Sequence, residues 1–301
     1  MSVLSFGSLN IDYVYSVDHF VSPGETLSAK ALHVYIGGKG LNQSIALART
    51  GISVYHAGAI GTDGRFLIEA LEKAGVNTEY VSVLDDVRTG NAIIQKDIKG
   101  NNCILLYGGA NQAIERAQID NVFTHFTQAD YLLIQNEINH LPYIVEKAKN
   151  IGMKIVLNPS PMDEKIFALP LHKIDYFILN EIEAFQILGE EFTEAYDGKQ
   201  LAEKLRNRWE DATIILTMGG KGSICLNHTE YIEQPIYKVE VMDTTAAGDT
   251  FTGYFLGSLL SGKTLRDSMN MAAKAAAIAV SREGAAPSIP CKAEVEALIY
   301  V

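Results

Sequence analysis

Tyr131-Leu-Leu-Ile-Gln135, then Leu141-Pro-Tyr-Ile-Val-Glu-Lys-Ala-Lys-Asn150 and, past Gly152, Lys154-Ile-Val-Leu157, is the stretch that decides the fold. The outer runs are short and continuously apolar, as strands covered on both faces are. The middle segment repeats apolar side chains at helical spacing, and Gly152 stands where a helix stops. Strand, helix, strand in this order joins parallel neighbours of one sheet. The alternation continues outward. Strands are predicted over 3–8, 53–60, 176–179 and 213–217, and helices over 41–50, 65–74 and 198–209, with Gly51 and Gly75 as further stops. The expected fold is α/β, a doubly wound, mostly parallel sheet with helices on both faces.

Two regions break the pattern. Residues 13–17 and 27–35 read as strands of mixed polarity joined through Pro23-Gly24, and 91–98 with 103–107 reads as a hairpin turning at Lys99-Gly100-Asn101-Asn102. Four such strands make a small second sheet. Its apolar face needs a cover, either the active site, a second subunit, or both. With no repeat, linker or low-complexity tract, the chain reads as one domain over 1–301, with a β appendage from segments of about 13–36 and 91–107.

Composition bounds the function. A net charge of −11 argues against nucleic-acid binding through a broad basic surface, but leaves a local phosphate pocket open. No apolar run approaches the ~18 residues that span a bilayer, so no membrane role is expected. The start, Met-Ser-Val-Leu-Ser-Phe-Gly, has no basic segment before an apolar one, so no signal peptide is expected. Cys103, Cys225 and Cys291 form no C-x-x-C and read as reduced thiols of a cytoplasmic protein. The seven histidines form no H-E-x-x-H, so zinc is not expected.

The chemistry is concentrated in Asp243-Thr-Thr-Ala-Ala-Gly-Asp249-Thr-Phe251. A strand-like run over 237–242 precedes it, and Phe251, Tyr254, Phe255 and Leu259 follow at helical spacing. The first N–H groups of a helix lack intrahelical partners and carry the positive end of its dipole. Small residues let a phosphate approach them, and a carboxylate in the same turn can take the proton of an attacking hydroxyl. Anion hole plus base points to phosphoryl transfer.

A second constellation is Gly37-Gly38-Lys39-Gly40-Leu41-Asn42-Gln43, glycines before a helix with a cation and an amide at its start. A tight turn with a solvated lysine accounts for it equally well. Gly257-Ser-Leu-Leu-Ser-Gly262-Lys263-Thr264 matches a P-loop in letters but follows a helix rather than a strand, and reads as that helix's end. Asn10 and Asp12, Glu137, Asn158-Pro-Ser-Pro161, Asn180-x-x-Glu183 and Thr217-Met-Gly-Gly-Lys-Gly222 all follow candidate strands, where α/β sheets place ligand groups. Each alone also reads as a turn or cap. Asn180 with Glu183 forms a helix capping box, a water-mediated Mg²⁺ site, or both.

Together these residues resemble the ribokinase family of sugar kinases, also called the phosphofructokinase-B family, over essentially the whole chain, from Gly7-Ser-Leu-Asn-Ile-Asp12 to Gly284-Ala-Ala-Pro-Ser-Ile-Pro290. The resemblance implies a Rossmann-like domain whose β lid also pairs subunits into a homodimer. It implies Asp249 as base, with Ala246, Ala247 and Gly248 as the anion hole. Asn10, Asp12, Gly38, Lys39, Asn42 and Glu137 would bind the sugar. Asn180, Thr217, Gly219 and Gly222 would serve ATP, with Lys274 where relatives carry a histidine near the adenine. Glu183 would act on Mg²⁺ through water. Asp243, Thr245, Ala279, Arg282, Gly284 and Ser288 would surround K⁺, several through backbone carbonyls.

One departure is Ala246, where many members have glycine. A methyl fits there if the residue keeps a negative φ. The implied activity is ATP-dependent phosphorylation of a primary hydroxyl, ribose being the leading acceptor. A kinase of another sugar, polyol or nucleoside, and a catalytically silent sugar-binding regulator, are the rivals.

Overall fold

The computed structural model describes residues 1–298. Along the chain, β1 (Val3–Phe6), β2 (Asn10–Ser16) and β3 (Ala31–Gly37) lead into α1 (Lys39–Arg49), followed by β4 (Val54–Gly61), α2 (Arg65–Lys73), β5 (Asn77–Leu84), β6 (Gly90–Lys96) and β7 (Asn102–Tyr107). Next come α3 (Arg116–Phe123), β8 (Tyr131–Gln135), α4 (Leu141–Ile151), β9 (Lys154–Asn158), β10 (Tyr176–Asn180), α5 (Glu181–Leu188) and α6 (Gly198–Arg208). The chain continues through β11 (Thr213–Thr217), β12 (Ser223–Leu226), β13 (Tyr231–Gln234), α7 (Ala247–Leu260), α8 (Leu265–Val280) and α9 (Lys292–Ala297).

Nine strands form the main sheet in the order β13-β12-β11-β10-β9-β8-β1-β4-β5. From β5 to β11 all neighbours are parallel; β12 and β13 close the edge as an antiparallel hairpin. The winding direction reverses at β1, between β4 and β8, so ligand space opens beyond the strand ends there. Successive side chains of each central strand enter different cores. Leu132 and Ile134 of β8 and Phe177 and Leu179 of β10 pack with α3–α6, while Leu133 and Ile178 pack with α1, α2, α7 and α8. That two-sided burial is why the strands read as unbroken apolar runs.

The second sheet has the order β3-β2-β6-β7, with β2 parallel to β6 and the other pairs antiparallel. It is a lid in placement, rooted where β1 ends. Its outer strands leave Leu32, Val34, Ile104, Leu105, Leu106 and Tyr107 exposed.

Several sequence expectations differ from the structure. No strand occupies 237–242. Met242 and Asp243 instead donate their N–H groups to the Val280 carbonyl at 2.8 and 3.2 Å, because the sheet has already ended at β13 and offers no neighbour to pair with. Asn10 and Asp12 do follow β1 but belong to β2 rather than to a turn, and the strand expected over 27–35 begins only at Ala31. β5 is not predicted by the sequence, because its Asn77-Thr-Glu-Tyr-Val-Ser start mixes polar and apolar side chains at a half-exposed edge. The Gly257–Thr264 segment is the end of α7 and a turn, with Thr264 capping α8 through Asp267 N at 3.1 Å, so it is no P-loop.

One packing detail sets up the site. A Cβ on Gly253 would collide with Ala46 and Leu47, and one on Gly257 with Thr50, so α7 presses against α1 along a row of glycines four residues apart. Continued one turn back, that row reaches Asp249. Among the described residues no helix is long and apolar enough to cross a membrane.

Candidate active site

α7 begins at Ala246, which takes a left-handed conformation with φ 58° and ψ 11°. The condition under which a methyl fits without strain, a negative φ, is therefore not met; the turn at the start of α7 takes a glycine-like backbone, and alanine accepts the strain, about 1–2 kcal/mol. No side chain caps this helix end. Nothing lies within 4 Å of where a Cβ of Gly248 would stand, which leaves open space directly over the first turn. The arrangement is a positively poled helix start without a side-chain cap, facing a cavity; only the Ala247 N–H turns back, to the Thr244 carbonyl at 3.3 Å.

Asp249 follows in that turn and is 6% exposed. Its Oδ2 accepts from Asn42 Nδ2 at 3.0 Å and its Oδ1 from Gln43 Nε2 at 2.9 Å. Asn42 thereby spends its donor on Asp249, and its buried Oδ1 has no partner among the described residues. An acceptor of this kind asks for a ligand hydroxyl.

Asn10 is set the opposite way. Asn111 Nδ2 donates to Asn10 Oδ1 at 2.7 Å, which leaves the Asn10 amide N–H groups as donors. Asp12 lies against Gly37, where a side chain would strike its carboxyl group. Burial, and then the charge of Glu137, push the Asp12 carboxyl up to about 7. Glu137 accepts from Lys39 N at 2.9 Å and from Ser8 Oγ, which seats it at the N-terminus of α1. Burial raises its pKa despite those bonds. Gly38 precedes α1 at φ 96°, a backbone that glycine adopts freely. Burial alone would depress the Lys39 ammonium, but Asp249, Glu137 and Glu183 together hold it above its ordinary value. Asn42, Lys39 and Glu137 thus lie around Asp249, Asp12 is coupled to Glu137, and Asn10 lies against Gly38.

Beside Asp249 a cleft of about 820 Å³ opens, lined by Lys39, Asn180, Glu183, Thr217, Gly219, Gly222, Gly248 and Asp249. One wall is the turn between β11 and β12; the other is the small-residue face of α8, Ala273, Ala276, Ala277 and Val280. Its size suits a nucleotide. Asn180 caps α5 by accepting from Glu183 N at 2.8 Å, while Glu183 Oε2 accepts from Asn180 N at 3.0 Å, a full capping box. Both readings of this pair survive, since Glu183 Oε1 is left for a water.

Lys274 does not line the cleft. Its ammonium lies 5.7 Å from the ring centre of Tyr237, which does line it. Lys238, unremarked in the sequence, is exposed at the cleft rim instead. Asp243 binds its own loop together: Oδ1 accepts from Thr245 N at 2.9 Å and Thr245 Oγ1 at 2.5 Å, and Oδ2 from Gly284 N at 3.1 Å. Burial opposes ionisation there, but these bonds outweigh it and lower the Asp243 pKa. Arg282 N donates to the Ala279 carbonyl at 3.1 Å and Ser288 Oγ to the Ala285 carbonyl at 2.7 Å, so the segment from 279 to 288 folds beside the start of α7.

Gln43, Asn111, Gln135 and Asn158 organise the site, yet their partners lie about a hundred or more residues away in most cases. The available signal is the position of Gln135 and Asn158 at the ends of β8 and β9 and of Gln43 in the Gly37–Gln43 constellation; Asn111, in the turn after β7, carries none.

With this geometry in view, the likeness to known proteins is specific. The chain is 36% identical over 305 residues to a ribokinase of Staphylococcus aureus (strain COL), covering 97% of this chain and 98% of that one. It superposes on a crystal structure of ribokinase from Cryptococcus neoformans var. grubii serotype A in complex with ADP with a TM-score of 0.86 at 35% identity, covering 98% of each chain. Arabidopsis thaliana ribokinase complexed with ribose and ATP superposes with a TM-score of 0.85 at 28% identity, over 98% of this chain and 97% of that one. The pattern of the pfkB family carbohydrate kinases matches residues 1–292, and the chain belongs to that family.

Proposed function

We propose that the protein is an ATP-dependent ribokinase, transferring the γ-phosphate of ATP to the primary hydroxyl of D-ribose to give ribose 5-phosphate. The observation that carries this reading is the place of Asp249, a buried carboxylate where a nucleotide-sized cleft meets a seat of hydroxyl-binding side chains. The relatives named above support ribose and ATP as the two substrates.

In this reading Asp12 and Asn42 Oδ1 accept from ring hydroxyls and Asn10 donates to one, so the amide network fixes which way each hydroxyl points. Gly38 and Lys39 close one side of the sugar, and Glu137 the end of the seat. Asp249 takes the proton of the attacking hydroxyl. The first N–H groups of α7, at Ala247 and Gly248, and Lys39 stabilise the charge of the transferring group, which is the main demand of phosphoryl transfer. Asn180, Thr217, Gly219 and Gly222 hold the nucleotide, and closure of the lid keeps water from competing as acceptor.

Two ions fit the residues present. Mg²⁺, held through water on the uncommitted Glu183 Oε1, supplies charge neutralisation on the phosphates when bound. K⁺ would be held by the segments that carry Asp243 and Thr245 on one side and Ala279, Arg282, Gly284 and Ser288 on the other, which the bond from Gly284 N to Asp243 Oδ2 ties together. The apolar side chains of β3 and β7 support a homodimer formed through the lid. The free thiols of Cys103, Cys225 and Cys291 support a cytoplasmic enzyme.

The test is ADP release with Mg-ATP across ribose, deoxyribose, fructose, ribitol and nucleosides, with K⁺ or Na⁺. Ribose-selective turnover stimulated by K⁺ is the expected result. Preference for another polyol or a nucleoside would overturn the ribose assignment, and no sugar-dependent ADP release at all would overturn the kinase reading.

A further inference from the structure

We propose that Gln43, outside the set assigned above to either substrate, is the positioning residue for Asp249, acting through a buried chain of amides. Its side chain is fully buried and every polar atom is committed. Nε2 donates to Asp249 Oδ1 at 2.9 Å and to Asn158 Oδ1 at 3.0 Å, and Oε1 accepts from Gln135 Nε2 at 2.7 Å. Gln135 ends β8 and Asn158 ends β9, and Asn158 Nδ2 donates to the Ile178 carbonyl of β10 at 2.8 Å. Three adjacent strands of the rigid sheet therefore fix one amide, and that amide fixes one oxygen of the carboxylate. Asn42, the preceding residue of α1, fixes the other oxygen.

The amide is chemically suited to this task. It donates to a carboxylate without being able to protonate it, and an N–H bond to the charged form favours that form. Among the described residues, Asn42 and Gln43 are the only side chains that hydrogen-bond the Asp249 carboxylate. A carboxylate has about four acceptor positions, and two are used, so capacity remains for the incoming hydroxyl. The amides also hold both oxygens against rotation, so the remaining positions face the cleft that Asp249 lines. No flipped amide satisfies the chain, because Oε1 of Gln43 would then oppose the oxygens of both Asp249 and Asn158.

This inference rests on Asp249 acting as the base in the reading above. The experiment compares wild type with Gln43→Met, of similar length without the amide, and Gln43→Glu, which keeps the shape and the acceptor for Gln135. Asp249→Asn is run alongside. The readouts are kcat and KM for ribose as functions of pH, with Tm to report folding. Losing a hydrogen bond to a charged group lowers kcat roughly 10–100-fold. Ribose KM should stay within about threefold, since ground-state contacts are untouched. The acid side of the kcat profile should move to higher pH in both variants, further in Gln43→Glu, where two carboxylates face each other.

An acid side unchanged from wild type in a folded variant, or a loss confined to KM, would overturn the proposal. If Gln43→Met fails to unfold cooperatively, Gln43→Glu decides alone. Asp249→Asn within about threefold of wild type would sink the base assignment itself. An inactive Asp249→Asn with unmoved profiles in the Gln43 variants would sink only the role of Gln43.

Discussion

At the scale of the residue, three side chains carry separable expectations. Asp249→Asn removes the base and should lower kcat by ~10²–10⁴-fold while ribose affinity, measured by calorimetry, stays near wild type. Asp12 gives a pH dependence. Its carboxyl is pushed from 3.8 to about 7, so the free folded protein holds a proton that the unfolded chain releases. Stability from this group is therefore greatest at low pH and falls as pH rises from about 4 to about 7. Ribose, donating to the ionised carboxylate, should bind roughly tenfold more tightly at pH 8 than at pH 6. Titration at the two pH values checks this, and equal affinities would remove Asp12 from the hydroxyl contacts. Ala246→Gly should relieve the left-handed backbone, offset partly by glycine's greater freedom when unfolded, for a net gain of about 0.5–1 kcal/mol and a Tm rise of about 1–3 °C. Calorimetry that showed a fall in Tm would mean the methyl is packed rather than strained.

Elements explain why some of this was legible in the sequence and some was not. The body of the sheet is legible because β1, β8, β9, β10 and β11 feed two cores at once and so carry runs of apolar side chains through their central positions. β5 sits at the edge with one half-exposed face, and 237–242 has a strand's composition but no neighbour to pair with; only tertiary context separates the two. In the same way, Asn42 and Asp249 stand out at helix starts, whereas Gln135 and Asn158 gain their meaning from Gln43, which lies 92 and 115 residues away in sequence. The left-handed turn at Ala246 is not legible, because alanine gives no local hint of it. The approach of α7 to α1 yields its own prediction. Gly253→Ala inserts a methyl into Ala46 and Leu47, and overpacking of that kind costs about 1–3 kcal/mol. It also pushes Asp249 away from Asn42 and Gln43. Urea unfolding should show the lost stability and assays a fall in kcat; loss of stability with full kcat would uncouple the helix contact from the site.

For the whole molecule, the exposed apolar row on β3 and β7 should vanish on self-association. Leu105→Glu with Leu106→Glu should shift sedimentation from dimer to monomer, and an unchanged sedimentation coefficient would exclude the lid as the interface. The manner of the lid's attachment goes further. The chain passes between the sheets near Leu9–Asn10, Gly37–Gly38, Thr89–Gly90 and Tyr107–Asn111, and Asn10, Gly38 and Asn111 stand at those passages. The lid is thus no transplantable module. A chimera that exchanged it for the lid of another carbohydrate kinase would exchange the preferred acceptor along with it, and the two properties would be inherited as one trait.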